Sequence, residues 1–267
     1  MLKKKRQLLN FDNPKTSKGE SFGYRTAILY LKPSFNWVDN VEHNLCIASN
    51  KACQELCLAK SGHGMKPLVK EARRQRSEWF IKNPLEFKEN LIREINNHIK
   101  LSKKLNLKPV VRLNGTSDIE FFDVVNNFPD ITFYEYSKRI DLALHKNKPN
   151  NLHYTFSFSG TNKLDAFKCL DNGVNVAVVF HRDTIKPLTL FNRKILNGDN
   201  HDLRFLDKPN KIIGLTFKAM MPKSATMQIP ELKRYNFLVE KDTILKLEKD
   251  YKNYLNPIGL KSYGLGA

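Results

Sequence analysis

The sequence has no apolar stretch that approaches the roughly 20 residues needed to cross a bilayer. Its basic N-terminus, residues 1–6, is not followed by an apolar core, so we expect no secretory signal. The sequence has no internal repeat and no low-complexity tract. Only four cysteines occur among the 267 residues. We expect a cytoplasmic protein without a membrane partner, in which clustered cysteines bind metal more readily than they form disulfides.

Acidic residues are scarce relative to basic ones, since 27 Asp and Glu against 45 Lys and Arg give a formal net charge of +18. A surplus of this size attracts polyanions, and nucleic acid is the most common of them. A lysine-rich composition that reflects an AT-biased genome explains the same surplus without any partner. If nucleic acid binds, we expect its phosphates to contact the basic N-terminus and a basic helix, through Lys3, Lys4, Lys5, Arg6, Lys70, Arg73, Arg74 and Arg76.

Short β-prone runs alternate with helical periodicity over most of the chain, which indicates parallel strands joined by right-handed crossovers. The pattern predicts an α/β fold with about six strands. It is either a partial (β/α)6 barrel or a curved, mostly parallel sheet with helices outside, followed by a helical C-terminal tail. The predicted strands cover 26–31, 109–113, 131–136, 152–157, 174–180 and 212–217, and the predicted helices cover 67–82, 84–105, 120–125, 139–145, 163–170 and 243–254.

Composition divides the chain into three regions. Residues 1–24 are basic and polar, which predicts a loose N-terminal arm. Residues 25–218 carry the alternating pattern and form the predicted α/β core domain, with a cysteine loop at 43–64. Residues 219–267 read as a mostly helical C-terminal extension.

The cysteine loop holds the densest chemical signal. Cys46, Cys53 and Cys57 follow the spacing Cys-x6-Cys-x3-Cys within polar surroundings. Three thiolates leave one position open on a tetrahedral zinc or on a cubane iron–sulfur cluster. A structural zinc would take its fourth ligand from His43 or His63, whereas buried cysteines without metal would pack as small hydrophobes. The cysteine loop therefore has three competing interpretations: it binds an iron–sulfur cluster, it binds zinc, or its cysteines bind no metal.

Polar residues follow nearly every predicted strand, as a site at the carboxyl edge of a parallel sheet requires. After the second strand, Asn114, Gly115, Ser117 and Asp118 form a tight turn. Its glycine would let a ligand approach the backbone, and its amides would hold a carboxylate or phosphate. The alternative is a capping turn, with Ser117 or Asp118 as the helix N-cap.

Later strand ends and one polar segment supply further candidates. Lys138 and Ser157 follow the third and fourth strands, and the last strand leads to Lys218. The segment 197–207 concentrates Asp and His side chains, among them His201 and Asp202, which can bind metal or act as a general base. A solvated turn with an internal Arg–Asp pair explains the same segment equally well.

Several blocks of the sequence resemble the gene product 88 family of phage and plasmid proteins. The matching blocks are the three cysteines, Ser61-Gly-His-Gly64, Arg112-Leu-Asn-Gly-Thr-Ser-Asp118, Phe133-Tyr-Glu-Tyr-Ser-Lys138, His153-Tyr-Thr-Phe-Ser157, Asn175-Val-Ala-Val-Val-Phe180, Asp199-Asn-His-Asp-Leu-Arg-Phe-Leu-Asp207 and Ile213-Gly-Leu215. The resemblance covers about residues 25–220 and implies no settled activity.

A fainter resemblance links the chain to radical S-adenosylmethionine enzymes, which have a partial parallel barrel and a three-cysteine loop after the first strand. The spacing here departs from their Cys-x3-Cys-x2-Cys pattern. This resemblance implies a [4Fe-4S] cluster on Cys46, Cys53 and Cys57, which binds S-adenosylmethionine. Asn114, Gly115, Ser117 and Asp118 would then contact the cofactor, and Lys138, Ser157, His201 and Asp202 would line the substrate side as catalytic residues. A basic site would suit a nucleic acid or nucleotide substrate.

A rival hypothesis assigns a different class of function. The chain would be a basic, replication-associated protein that binds nucleic acid, with a structural zinc or a metal-free cysteine loop. A metal-dependent nuclease built on Asp199, His201 and Asp202 is a lesser variant of this hypothesis.

Overall fold

The computed structural model describes residues 7–11, 14–60, 62–217 and 236–256. Over these residues the chain forms a nine-stranded, mostly parallel sheet flanked by helices, together with a separate two-stranded hairpin. Eleven strands are described: β1 (Leu9–Asn10), β2 (Tyr24–Leu29), β3 (Phe35–Val38), β4 (Val41–Asn44), β5 (Lys108–Arg112), β6 (Thr132–Ser137), β7 (Leu152–Ser157), β8 (Asn175–Phe180), β9 (Thr189–Leu190), β10 (Arg193–Asn197) and β11 (Ile212–Thr216).

The strand order in the sheet is β1-β2-β5-β6-β7-β8-β11-β10-β9. The strands from β2 through β10 in this order are parallel, whereas β1 and β9 pair antiparallel at the two ends. The six predicted strands are β2, β5, β6, β7, β8 and β11, and they lie side by side in chain order. The mostly parallel α/β fold is thereby confirmed. In the described residues the sheet is open, because β1 and β9 end it without pairing to each other.

Eight α-helices accompany the strands within the described ranges. They are α1 (Pro14–Glu20), α2 (Lys51–Glu55), α3 (Pro67–Lys82), α4 (Pro84–Lys104), α5 (Phe122–Val125), α6 (Ile140–Ala143), α7 (Lys163–Asp171) and α8 (Lys241–Leu255). Each of the six predicted helices is present, with ends shifted by a few residues at most. Proline opens both α3 and α4, where a missing backbone N–H costs no intrahelical bond.

The two faces of the sheet pack against different parts of the chain. Alternate residues of β5, such as Val111, point to a face that packs on Phe87, Leu91 and Ile95 of α4. We call this the helix face. On the opposite face, Val110 and Tyr134 form one small buried cluster with Leu203, which lies in the segment 198–207. We call this opposite face the cavity face, and it is covered by α1 and the segment 198–207.

The N-terminal segment is more ordered than its composition predicts. Leu8 and Leu9 are buried, and the backbone N–H groups of both donate to the carboxylate of Glu94 on α4 at 2.9–3.0 Å. Leu9 also pairs with Leu29 at the edge of the sheet. The prediction of a loose arm over residues 1–24 therefore does not hold for the described part of that range, which is a strand and a helix.

The C-terminal helix α8 packs on the helix face. Leu247 and Tyr251 join the buried cluster that also contains Phe167 of α7. Upstream of α8, Val239 forms a parallel bridge with Phe180 at the end of β8. The described part of the C-terminal extension thus belongs to the core. No helix within the described ranges is long and apolar enough to cross a membrane.

Candidate active site

A cavity of about 350 Å³ lies at the carboxyl ends of the parallel strands, on the cavity face of the sheet. Five neighbouring strands contribute side chains from their last residues. These are Arg112 of β5, Tyr136 of β6, Ser157 of β7, Val179 of β8, and both Leu215 and Thr216 of β11. Because side chains alternate between faces along a strand, four of these five strand ends present a single residue to the cavity.

The cavity also collects the residues that the sequence analysis singled out along the chain. The three loop cysteines, the four predicted cofactor contacts and the four predicted catalytic residues all line it: Cys46, Cys53, Cys57, Asn114, Gly115, Ser117, Asp118, Lys138, Ser157, His201 and Asp202. Their placement in one cavity is a finding, whereas their chemical roles stay predictions.

Two asparagines hold the cysteine loop in place. The side-chain oxygen of Asn44, at the end of the β3–β4 hairpin, accepts from the backbone N–H of Cys46 at 2.8 Å. Asn50 caps α2 by accepting from the N–H of Cys53 at 2.8 Å, and its amide donates to the carbonyl of Ser159 at 2.8 Å. The described residues of 43–64 form the end of a hairpin, a short helix and two 3-10 turns, with short connections between them.

The thiols are free and partly buried. Burial raises the pKa of Cys46 to about 12, and it also raises the pKa of Cys57. The Cys46 thiol donates to the carbonyl of Thr116 at 3.5 Å, which joins the loop to the turn after β5. As they stand at neutral pH, these two thiols are protonated donors rather than nucleophilic thiolates.

Three thiols line one cavity, and thiols are the ligand type that an iron–sulfur or zinc centre requires. Among the described residues, however, no three His, Cys, Asp or Glu side chains are grouped closely enough to hold a metal ion as they stand. His43 lies in β4, opposite Asn36 of the hairpin, and does not line the cavity. The side chain of His63 lies outside the described part of the chain. A cluster on Cys46, Cys53 and Cys57 therefore requires their side chains to draw together.

The turn after β5 is fixed by its own side chains. The side-chain oxygen of Asn114 accepts from the Ser117 hydroxyl at 2.8 Å and from the N–H of Ile119 at 2.9 Å. Its amide donates to the Ile119 carbonyl at 2.9 Å. Neither Ser117 nor Asp118 caps α5, whose N-cap residue is Phe121, so the capping alternative is wrong.

Gly115 is required by packing. A Cβ atom at this position would lie 2.6 Å from ring carbons of Tyr30 and 2.8 Å from Ile28. The glycine therefore allows the turn to pack closely against the end of β2. This contact is separate from any approach of a ligand from the cavity side.

Asp118 links two strand ends. Its carboxylate accepts from the Ser137 hydroxyl at 2.6 Å and from the backbone N–H of Lys138 at 2.9 Å. Burial raises the pKa of Asp118 even though these bonds favour the charged form.

The Lys138 ammonium donates to the Ser157 hydroxyl at 3.2 Å. Burial disfavours the charged form of Lys138, but its interactions with Cys53 and Asp118 outweigh burial, so the pKa of Lys138 is raised.

A buried ion pair crosses the cavity face. Arg112 Nη1 lies 2.9 Å from Asp202 Oδ2, and the guanidinium stacks over the Tyr136 ring at 4.8 Å. Below it, Glu135 is enclosed and accepts from the backbone N–H of Asn114 at 2.9 Å. Burial raises the pKa of Glu135 to about 8, although the positive charge of Arg112 opposes this shift.

The segment after β10 lies directly on the cavity face. A Cβ on Gly198 would lie 2.6 Å from Leu215 and 2.7 Å from Ile213. Asp199 accepts from Lys186 at 2.9 Å and from the Thr216 hydroxyl at 2.7 Å. Burial would raise the pKa of Asp199, but these hydrogen bonds lower it.

His201 is held beside this segment. Arg204 Nη2 lies 3.1 Å from its Nδ1, and the ring of Phe22 packs edge-on at 5.0 Å. Because guanidinium can only donate, Nδ1 is the acceptor and Nε2 carries the proton of the neutral ring. Burial lowers the pKa of His201, with Arg204 adding to the effect.

Several lining residues were not predicted. Lys18 comes from α1, in the region predicted as a loose arm, and Thr216, Phe217 and Phe237 come from the last strand and the segment before α8. Lys18 and Phe237 gave no sequence signal, because both enter from segments whose packing is set by distant contacts. Arg112 and Tyr136 were visible as polar strand-end residues, and the period-two alternation of β5 and β6 would have placed them on the cavity face.

The basic helix α3 uses its arginines within the protein. Arg73 is buried and donates to the carbonyls of Ala59 and Gly64. Arg74 pairs with Glu71 at 2.8 Å and Glu78 at 3.0 Å. Arg76 donates to the Gln7 carbonyl at 3.0 Å, while Lys70 is exposed. The predicted contacts Lys3, Lys4, Lys5 and Arg6, and also Lys218, lie outside the described residues.

No curated protein and no solved structure matches the chain. The fainter resemblance to radical S-adenosylmethionine enzymes is therefore not shown. The profile of the gene product 88 family matches residues 3–228, which is most of the chain. The chain belongs to the gene product 88 family.

Proposed function

We propose that this chain is an iron–sulfur enzyme of the radical S-adenosylmethionine type, whose site is the cavity at the carboxyl edge of the sheet. One observation supports this proposal above all. The loop after the first parallel strand places three cysteines on the same cavity as the polar ends of β5, β6 and β7. Six parallel strands in chain order, β2 to β11, are also the arrangement expected of an open, partial (β/α)6 barrel.

Cys46, Cys53 and Cys57 would hold a [4Fe-4S] cluster with one open iron, and Asn114, Gly115, Ser117 and Asp118 would border S-adenosylmethionine. Such a pair would supply one-electron chemistry to the site, with the electron coming from an external reductant. The chain's own residues position and enclose the reactants. The turn at Asn114 is rigid because its side chain bonds within the turn, and it meets the cysteine loop where the Cys46 thiol bonds Thr116.

The substrate side would be formed by Lys138, Ser157, His201 and Asp202. Lys138 bonds Ser157 and Asp202 is held by Arg112, so each polar group has a fixed direction. Apolar side chains complete the wall and limit the entry of water, which suits a reactive intermediate. These are Leu56, Val179, Leu215, Phe217 and Phe237.

Metal analysis under anaerobic conditions tests the proposal. We expect freshly purified protein to be brown, to contain about four iron and four sulfide per chain, and to absorb light at about 400 nm. Replacing Cys46, Cys53 or Cys57 by alanine should abolish the iron. Cys169→Ala is the matched control, because this thiol lies in α7 on the helix face and should leave the iron content unchanged. Colourless protein without iron, or stoichiometric zinc instead, would reject the proposal.

The rival function, nucleic-acid binding, is supported by the +18 charge. The contacts of α3 give it less support, because Arg73, Arg74 and Arg76 all bond protein groups. It predicts an affinity for DNA or RNA that falls steeply with salt through counterion release.

The nuclease variant would use Asp199 and Asp202 as metal ligands, and both carboxylates are already paired, with Lys186 and Arg112. That variant predicts cleavage that requires magnesium or manganese.

A further inference from the structure

We propose that the rim of the cavity formed by Lys18, His201 and Arg112 binds an oxyanion of the substrate, a phosphate or a carboxylate. The inference rests on the proposed function in taking this cavity as the substrate site. It goes further by naming the chemical group that the substrate presents and by assigning a binding role to Lys18.

Each of the three carboxylates in the segment 199–207 has a cation partner. Asp202 pairs with Arg112 at 2.9 Å, Asp199 with Lys186 at 2.9 Å, and Asp207 with Arg204 at 3.3 Å. Lys18 also lines the cavity, and its ammonium donates to the main-chain carbonyl of Asp199 at 3.1 Å. No ion pair joins Lys18 to a carboxylate among the residues that the structure describes. Lys18 is therefore a lining cation whose charge is left to attract an anion from solution, as is Lys138, whose ammonium bonds the uncharged Ser157 hydroxyl.

Buried N–H groups near the rim also lack acceptors. Arg112 lines the cavity and is almost fully buried, yet its Nε has no hydrogen-bond partner within the described part of the chain. Leaving such a donor unbonded is costly, and an acceptor oxygen that displaced the side chains now covering it would remove that cost. His201 adds a neutral ring whose Nε2 carries the proton, because Nδ1 accepts from Arg204. Each of these groups donates, and oxyanions accept.

The position of Lys18 is set by packing. A Cβ on the next residue, Gly19, would lie 3.1 Å from Thr26 Oγ1 and 3.1 Å from the Tyr24 carbonyl, so α1 lies directly against β2. Phe22, just after α1, packs on the His201 ring at 5.0 Å. Helix α1 therefore fixes the backbone that carries Lys18 on the same side of the cavity as the segment 199–201, where its ammonium bonds the Asp199 carbonyl, which reduces the entropy lost on binding.

Thermal unfolding of the metal-free full chain with added anions tests this inference. The probes are adenosine 5′-monophosphate, inorganic phosphate and succinate, each compared with chloride at equal ionic strength. We expect at least one probe to raise the midpoint at millimolar concentration. Lys18→Met should weaken the effect about tenfold or more, as expected for loss of a charged hydrogen bond. Lys18→Arg should retain it. Lys168→Met removes an exposed lysine of α7 on the helix face and is the matched control.

The pattern of responses identifies the source of the oxyanion. Stabilisation by phosphate and the nucleotide but not succinate indicates a phosphate group, and the reverse indicates a carboxylate. The inference fails if no probe exceeds chloride, or if Lys168→Met weakens binding as much as Lys18→Met, since bulk charge then explains the effect. Iron content separates this result from the proposed function: Lys18→Met should bind iron like the unaltered chain, whether or not the anion binds.

Discussion

Arg112 and Asp202 form an ion pair across the cavity face, with 2.9 Å between Nη1 and Oδ2. Their side chains are only 5% and 14% exposed, although 90 residues separate them in the sequence. The pair joins the end of β5 to the segment that follows β10. It therefore fixes this segment over the strands on which the site is built.

Breaking this pair should destabilise the protein strongly. Arg112→Met leaves the Asp202 carboxylate buried without its cation, which typically costs about 3–5 kcal/mol. Urea unfolding followed by circular dichroism measures the change. Arg74→Met is the matched control, because Arg74 pairs with Glu71 and Glu78 on the exposed side of α3, where an ion pair contributes up to about 1 kcal/mol. Equal losses in the two variants would contradict the assignment of the Arg112 pair to the protein core.

Glu135 should make stability depend on pH. Burial raises its folded-state pKa from the ordinary value of 4.5 to about 8. The folded chain therefore holds a proton that the unfolded chain releases. The resulting stabilisation is fully present below pH 4.5 and is lost as the pH rises through about 8. Glu135→Gln stays neutral, so its unfolding free energy should fall less between pH 5 and pH 8 than that of the unaltered chain. The same fall in both proteins would show that Glu135 ionises normally.

Cys46 should react slowly with alkylating reagents in metal-free protein. Its pKa of about 12 in the fold lies well above the ordinary thiol value of 9.0, because the side chain is desolvated. The thiolate fraction at pH 8 is then lower by roughly two to three orders of magnitude, and only the thiolate reacts. Mass spectrometry after timed iodoacetamide treatment follows Cys46 in native protein and in urea, so the unfolded chain is the control. Similar rates in the two states would place Cys46 in contact with solvent.

Much of the fold could be predicted because its signals are local. The apolar run of β8 and the helical spacing of α4 are visible within single segments, and the rule for parallel strand ends brought Asn114, Lys138 and Ser157 to one edge. Strand β10 was missed because Arg193–Asn197 is short, charged at its start and only half-buried. Its pairing depends on β11, which follows it in the chain.

The unpredicted parts of the site depend on contacts between distant segments. Lys18 reaches the cavity because α1 packs against β2 at Gly19, while Leu8 and Leu9 hold the preceding segment on Glu94 of α4, far along the chain. Glu135 has no special sequence context, and its raised pKa comes from burial under the turn at Asn114. The periodicity of the sequence carries no information about the burial of Glu135. This burial arises only when the strands and turns pack together.

The docking of α8 gives a prediction with a control on the same helix. Leu247 is 2% exposed and packs in the cluster around Phe167, whereas Leu245 is 70% exposed. Leu247→Ala should lower the free energy of unfolding by about 2–5 kcal/mol, because it leaves a cavity in the core. Leu245→Ala should change it by less than about 0.5 kcal/mol. Urea unfolding of the full chain distinguishes the two. If Leu247→Ala instead produced a separate early transition and left the main midpoint unchanged, α8 would unfold independently of the sheet. The C-terminal extension would then be a unit of its own.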